Sequence, residues 1–420
     1  MRRLAPTALL LLAACRAEAP MGRFAELDPG GVLPDTSTID GLFVMHHGAD
    51  AFDRAPRWTL DSVPLVVFED GGDPVFDLSG LASILFPPLM RSDGRMLAVG
   101  DGILLFGADG QPERVLATLG AGPGEVSSAM PWLGGWYLAG DTLGYFDYGN
   151  QRVTRFTPGG GLVDDRAWSV VPSARCASIA VPAVVQERLV VSCGSAVDDS
   201  LAVRRAGRLA LTDRWLSEPR DLAEFPSPER RAVALESEGI RSGTMRPLAL
   251  GLWPFVTIQD SMIVIGTQAH GFVIDFVDTA AVVRRQLRFD ISRRPVTAAM
   301  RQAWIQRDLD GAAKNSAHGG IPVEILMAEA RAQVFADALP WHAKLMAGTD
   351  GLLWIEEWPT LSDTTWTATA IAADGRVVAR MTAPGGGNRR PIWFGSGQVL
   401  VREEDDDGLV RFALYRIAKT

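Results

Sequence analysis

The sequence predicts an all-β chain in which like antiparallel sheets repeat around a ring, and three observations lead there. Short runs rich in Val, Tyr, Phe, Trp and Thr recur between clusters of Gly, Asn and Asp along most of the 420 residues, the pattern of an antiparallel meander. A Pro, usually beside an aromatic, opens each unit: Phe86-Pro87-Pro88, Pro131-Trp132, Val181-Pro182, Trp253-Pro254, Pro340-Trp341 and Pro391-Ile392-Trp393. The count also closes. After Pro391 only two further strands fit, Val399–Arg402 and Leu409–Ile417, while Leu60–Phe68 stands ahead of the first unit as a spare. Together these describe a six-bladed β-propeller of four-stranded blades, its ring closed by pairing the N-terminal strand with the last blade, which removes a sheet edge.

The spacing supports the count. Successive markers from Pro88 lie 43, 51, 72, 86 and 51 residues apart, against roughly 40–50 for a propeller blade. Each long gap holds one insertion read as helical. The first spans about 212–246, where Ser227-Pro228 supplies an N-cap and a Pro at N1 and Gly239 ends the helix. The second spans about 292–338, with Met300, Trp304 and Leu309 on one amphipathic helix and Leu326, Met327, Ala330 and Val334 on another. That apolar stripe suits a ligand lid or, more commonly, packing against the protein itself. Pro has no N–H to give a ladder, so each marker belongs on an edge strand facing the central channel.

Along the chain, residues 1–14 read as a signal peptide: Arg2-Arg3, then an apolar run too short to span a membrane once mature. The run ends Leu12-Ala13-Ala14-Cys15 and resembles the lipobox of bacterial lipoproteins, which implies cleavage before Cys15 and its acylation. More than one acyl chain gives stable anchoring. Residues 15–56, rich in Pro, Gly, Asp and Ala, read as the lipidated N-terminus and a flexible tether, with His46-His47 as surface polar sequence. The propeller is placed at 57–420. Its first blade uses runs at 84–90, 95–99, 103–107 and 114–119, with Asp93-Gly94 and Asp109-Gly110 as hairpin turns. In the next, Trp132-Leu133 ends the first strand, Trp136–Ala139 and Thr142–Phe146 carry the second, Val153–Phe156 the third and Leu162–Val170 the fourth.

Gly120-Ala121-Gly122-Pro123-Gly124-Glu125, followed by Asp147-x-x-Asn150-x-Arg152-Val153 and an aromatic strand, resembles the six-bladed propellers of the NHL type, in particular lipoproteins of that class whose activity is unassigned. The resemblance covers about residues 94–160 closely and the rest only in strand rhythm. It implies an extracytoplasmic, lipid-anchored six-bladed fold and no reaction. It also implies that Asp147, Asn150 and Arg152 tie down a turn.

Candidate chemistry is sparse. A net charge of −9 with no basic stripe argues against nucleic acid as a partner. Lys is scarce beside Arg. The Gly-rich run at 120–124 has no helix behind it, so it lacks the anion site of a phosphate loop. Glu403–Asp407 offers carboxylates to Ca²⁺, but neighbouring side chains on a hairpin tip diverge, which favours a solvated acidic turn and no cofactor. No G-x-S-x-G follows a strand, so no nucleophile elbow is present. Cys176 and Cys193 flank a hairpin turning near Gln186-Glu187; an oxidising compartment permits a bond, but simple register offsets the pair. Trp132, Trp253, Trp341, His342, Lys344, Trp393 and His270 are placed at the channel or on the crossover face, with His342 and Lys344 as polar residues of an inner strand.

In a four-stranded meander, blade crossovers and the connections between second and third strands fall on one face. Function concentrates on loops carried by a rigid scaffold, so this face is the expected binding face. The first reading is a membrane-anchored scaffold recognising a protein, peptide or glycan. The alternatives are a metal-dependent lactonase- or lyase-like enzyme and a structural envelope component.

Overall fold

The structure, a computed structural model, describes residues 30–419 except 79–86, 128–134, 148, 168–178, 186–187, 194–205, 214–218, 227–229, 238–239, 253–254, 269–270, 316–322, 359–363, 386–388 and 406–407. The signal peptide, Cys15, Trp132, Cys176, Trp253 and His270 lie outside the described residues.

The chain is mostly β. It begins with a hairpin, β1 (Asp35–Ile39) and β2 (Leu42–His47), then a single helical turn, α1 (Ala51–Arg54), and two short strands, β3 (Arg57–Leu60) and β4 (Val66–Phe68). Residues 35–54, read from sequence as tether, are therefore built into the domain. The reason is apolar: Met45, Ala51, Phe52 and Ala55 are buried against Ile274, Leu287 and Phe289, and apolar area removed from water is worth roughly 25 cal/mol per Å². His47 is likewise buried rather than on the surface; its Nε2 meets the Gly375 carbonyl oxygen at 2.8 Å and its ring stacks on Phe289. Burial lowers its pKa, which the hydrogen bond to Gly375 partly opposes.

Four-stranded antiparallel sheets follow in chain order. The first holds β5 (Leu89–Met90), β6 (Met96–Gly100), β7 (Gly102–Phe106) and β8 (Pro112–Thr118). The second holds β9 (Gly135–Ala139), β10 (Thr142–Asp147), β11 (Arg152–Phe156) and β12 (Leu162–Ala167). Here the sequence reading needs a correction, because residues 136–139 and 142–146 are two strands rather than one. Ala139 pairs with Thr142, which leaves Gly140-Asp141 as a two-residue turn, with Gly140 at φ +58. The third sheet is β13 (Ile179–Val185), β14 (Arg188–Cys193), β15 (Ala206–Asp213) and β16 (Arg220–Pro226). Cys193 lies opposite Ile179 in its hairpin.

The expected first helical insertion is a second correction. Residues 230–237 and 240–247 form a β-hairpin, β17 (Arg230–Ser237) and β18 (Ile240–Pro247), paired from Arg230↔Pro247 to Ser237↔Ile240. A favourable cap signal is a weak prior that β pairing overrides, and Ser242, Gly243 and Thr244 are poor helix formers. The second insertion is helical: α2 (Ala298–Asn315) and α3 (Val323–Arg331). Trp304 and Met300 pack against Leu250, Val296 and Leu339, so the first helix turns its stripe onto the protein; Val334, read as part of the second helix, lies beyond its end and is exposed.

Between these insertions lies the sheet β19 (Phe255–Gln259), β20 (Met262–Gly266), β21 (Phe272–Val277) and β22 (Val283–Phe289); β2 adds to its outer edge in parallel. The last sheets are β23 (His342–Ala347), β24 (Leu353–Glu357), β25 (Thr365–Ile371) and β26 (Val377–Pro384), then β27 (Arg389–Gly395), β28 (Gln398–Glu404) and β29 (Val410–Lys419). β4 lies antiparallel to β29, with Val66↔Leu414 and Phe68↔Phe412, and Leu65 N–H donates to the Leu414 carbonyl at 2.7 Å. β3 bridges β26 and the end of β29.

Neighbouring sheets share apolar layers. Phe68, Leu400 and Phe412 pack with Met96, Leu104 and Phe106 of the first sheet; Trp354 stacks on Phe394 with centroids 4.1 Å apart. Gly110 marks one tight meeting: at φ +88 it turns the β7–β8 hairpin where a Cβ would collide with the Val67 carbonyl of β4. Of the described Pro markers, Pro88 and Pro340 sit just ahead of a strand, and Pro182 and Pro391 fall inside one where the register shifts, where a missing N–H costs the ladder little.

Candidate functional site

Three neighbouring strands put Arg389, Glu403 and Arg411 side by side: Arg389↔Glu403 across β27–β28 and Glu403↔Arg411 across β28–β29. Glu403 is almost fully buried and takes both cations. Arg389 Nε donates to Oε1 at 2.9 Å and Arg411 Nε to Oε2 at 2.9 Å, while the Tyr415 hydroxyl donates to Oε1 at 2.7 Å. Burial alone raises the Glu403 pKa, but the Tyr415 hydrogen bond and the two guanidiniums outweigh it, so the carboxyl lies below its ordinary value. Burial and the Glu403 charge push the Tyr415 hydroxyl the other way, upward.

This ladder forms the floor of a cleft of about 540 Å³. Glu69, Asp70 and Asp77 enter from the segment that follows β4, and Glu404 and Asp405 from the connection between β28 and β29. Six carboxylates thus face two guanidiniums. Asp70 and Asp405 also cap their own turns, through Gly72 N–H at 2.9 Å and Leu409 N–H at 2.9 Å, and Glu404 meets Arg402 at 2.9 Å. The acidic run read from sequence as a solvated turn is therefore partly internal, with Glu403 as its buried member. Among the described residues no group of three or more His, Cys, Asp and Glu is arranged to hold a metal ion.

A second charged cluster lies where β23–β24 faces β27. Lys344 sits opposite Glu356 in register, and Arg390 Nη1 lies 3.5 Å from Glu356 Oε1. That oxygen is buried without a hydrogen-bond partner, and the Glu356 side chain is 2% exposed. Burial raises the Glu356 pKa, opposed by Arg390 and Lys344. Burial lowers that of Lys344, with Glu356 opposing and Arg390 adding to the fall.

Known proteins add little to this geometry. No known family's sequence pattern matches the chain, and no curated protein sequence matches it. Solved structures resemble it in outline. A DUF4221 family member from Bacteroides vulgatus is 10% identical, covering 94% of this chain and 100% of its own with a TM-score of 0.44. The PQQ-bound aldose sugar dehydrogenase of Streptomyces coelicolor is 10% identical, covering 86% and 100% with a TM-score of 0.38. A streptogramin B lyase is 11% identical, covering 80% and 85% with a TM-score of 0.33. At this level the likenesses assign no activity to the chain.

The residues singled out from sequence fall in different surroundings. Trp341 is partly buried and donates its ring N–H to the Ile291 carbonyl, with the Arg293 guanidinium 5.4 Å from its ring centre. His342 is fully buried between Phe255 and Phe272 and does not reach solvent. A register shift between His342 and Lys344 separates the two, and burial lowers the His342 pKa to about 3, so the ring is neutral. Trp393 packs with the apolar layer around Phe68 and Phe106. Among the described ones, Lys344 alone reaches a charged cluster. Arg389, Arg390, Glu356, Arg411 and Tyr415 were not legible as a site, because cross-strand register brings them together and no local spacing announces it.

Asp147 holds the turn that follows it, as the resemblance implies, while the side chains of Asn150 and Arg152 reach instead to the crossover at Gly120–Glu125. Asp147 accepts from Ser127 N–H at 2.8 Å and Asn150 N–H at 3.0 Å; Asn150 Nδ2 donates to the Gly120 carbonyl at 2.8 Å; Arg152 donates to the carbonyls of Ala121, Gly122 and Glu125.

Proposed function

We propose that the protein is a six-bladed β-propeller of the NHL kind, held on the extracytoplasmic side of a bacterial envelope membrane by an acylated Cys15, and that it recognises a cationic peptide or protein segment through its crossover face. The closed ring is supported by β4 lying beside β29. The observation that carries the binding role is the cleft of about 540 Å³ with six carboxylates and two guanidiniums on its walls. It draws on a crossover and on a second-to-third-strand connection at once, as the meander topology requires. Such a surface selects positive partners, steers their approach and loses its grip as salt rises. A neutral glycan would gain less from it.

The test is co-purification of the full lipidated chain from envelope membranes, beside a variant carrying Glu69→Lys and Glu404→Lys. The expected result is one stoichiometric partner retained by the parent, released by high salt and lost from the variant. Equal retention by both chains would overturn the reading.

A further inference from the structure

We propose that Lys344 is a nucleophilic amine that captures small aldehydes or ketones as a reversible imine. The site is separate from the acidic cleft and stands without it.

Composition makes this lysine unusual. Of 41 Lys and Arg residues in the chain, only Lys314, Lys344 and Lys419 are Lys. A buried ion pair ordinarily takes Arg, whose charge is permanent and weakly hydrated, whereas Lys gives up its proton when desolvated. Position 344 sits in such an ion-pair setting and still holds Lys. The surrounding charges explain what that permits. Glu356 on β24 lies directly opposite, and Arg390 on β27 approaches the same carboxylate to 3.5 Å. Two cations thus flank one buried anion. A guanidinium charge is permanent, so among the described residues a charged Lys344 leaves one positive charge in excess of Glu356.

Among the described residues, the other nearby charges do not relieve this excess. Glu357 is held by Arg380 in a two-point pair at 2.7 and 2.8 Å. Arg402, opposite Arg390 in register, is matched by Glu404 at 2.9 Å. On its own strand His342 is turned into the apolar layer between Phe255 and Phe272. The amine of Lys344 is therefore the group that sheds the surplus proton, and burial acts in the same direction. The residue as a whole is of intermediate exposure, and the proposal requires that a small carbonyl compound reaches its amine. The neutral amine adds its lone pair to the carbonyl carbon. Both amine hydrogens end on the carbonyl oxygen, which leaves as one water, and no electrons are transferred.

The experiment treats the full chain with propionaldehyde and sodium cyanoborohydride and reads each lysine by peptide mass spectrometry from pH 6 to 10. Lys419, which is exposed, is the internal reference. An ordinary lysine titrates near 10.4, and each unit of depression raises the neutral fraction about tenfold. Lys344 is expected to label at pH 7 at least about tenfold faster than Lys419 and to reach its plateau at lower pH. Glu356→Gln, which removes the anion, is expected to speed labelling at pH 7; Arg390→Gln, which removes a cation, to slow it. Labelling of Lys344 no faster than Lys419 in the unaltered protein overturns the proposal, whatever the variants do. So does a response of the same sign to both substitutions.

Discussion

Two crossovers of this protein use polar side chains in opposite ways. At Gly120–Glu125 the polar groups turn inward onto the loop's own backbone. Glu125 accepts from Gly122 N–H at 2.6 Å, Asn150 and Arg152 donate to its carbonyls, and Asp147 binds the strand end beyond it. Arg152 is itself matched by Asp165 at 3.1 Å. In the segment after β4 the loop holds itself by two short turns, through Asp70 to Gly72 N–H and Asp73 to Val75 N–H, and plants Phe76 in the core. The charged ladder facing it, Arg389–Glu403–Arg411, is closed among its own members and leaves a cleft between. Side chains that satisfy a crossover's backbone make structure. Side chains that satisfy one another across strands can leave room for a ligand.

The largest expected effect is at the first crossover. Asp147→Ala removes an acceptor that serves Ser127 N–H, Asn150 N–H and the Asn150 side chain at a residue that is 1% exposed. Stranding buried donors costs about 1–3 kcal/mol for each one left unpaired, and local relaxation recovers part of it. The expected loss is about 3 kcal/mol, read from the shift of the urea midpoint at constant slope. A loss under about 1 kcal/mol would mean that the crossover does not depend on this residue, and the contrast between the two loops would fail.

Next is Glu403→Gln. It leaves Arg389 and Arg411 facing each other over a neutral amide. Breaking a fully buried pair costs about 3–5 kcal/mol, but the Arg411 side chain is 53% exposed, so about 2 kcal/mol is expected. The pH dependence carries a sign. Glu403 lies below its ordinary pKa when folded, so the unfolded chain takes up its proton first. Its stabilisation is complete above the unfolded value of about 4.3 and is lost as pH falls through the folded value. The gap in stability between parent and variant should therefore be widest at pH 7 and narrow on acidification below about pH 4. A gap that stays constant across that range would show that the carboxylate's charge is not what holds the ladder.

The same contrast explains what the sequence disclosed. Strand rhythm, the Pro markers and the paired Asp-Gly turns are local signals, and they located β6, β7, β8, β11 and β12 closely. The motif Asp147-x-x-Asn150-x-Arg152 is local too, and the resemblance implied that it holds a turn, though not that Asn150 and Arg152 reach the crossover. Residues 35–54 and 230–247 were misread because their partners are distant in the chain: β2 needs β22, and β17 with β18 override a plausible helix start. The site was hidden for the same reason. Glu403 stood in a run of five acids, and nothing near it in sequence distinguishes the buried member from its solvated neighbours. Arg389 and Arg411 lie 14 and 8 residues away, and only register joins them.

The smallest effect on stability gives the sharpest test of the comparison. Glu404 borders the cleft and meets Arg402, with the Glu404 side chain 38% exposed. A partly exposed pair of this kind contributes about 0–1 kcal/mol, and a lysine there keeps its side chain in solvent. Glu404→Lys should shift the urea midpoint by no more than about 0.5 kcal/mol while it reverses the charge on one wall of the cleft. If the cleft side of the protein is free to bind, partner retention should fall with the fold intact, an outcome that Asp147→Ala at the other crossover cannot produce. If Glu404→Lys instead destabilises as much as Asp147→Ala, the acids of the cleft are holding the sheet end together, and the two crossovers are alike after all.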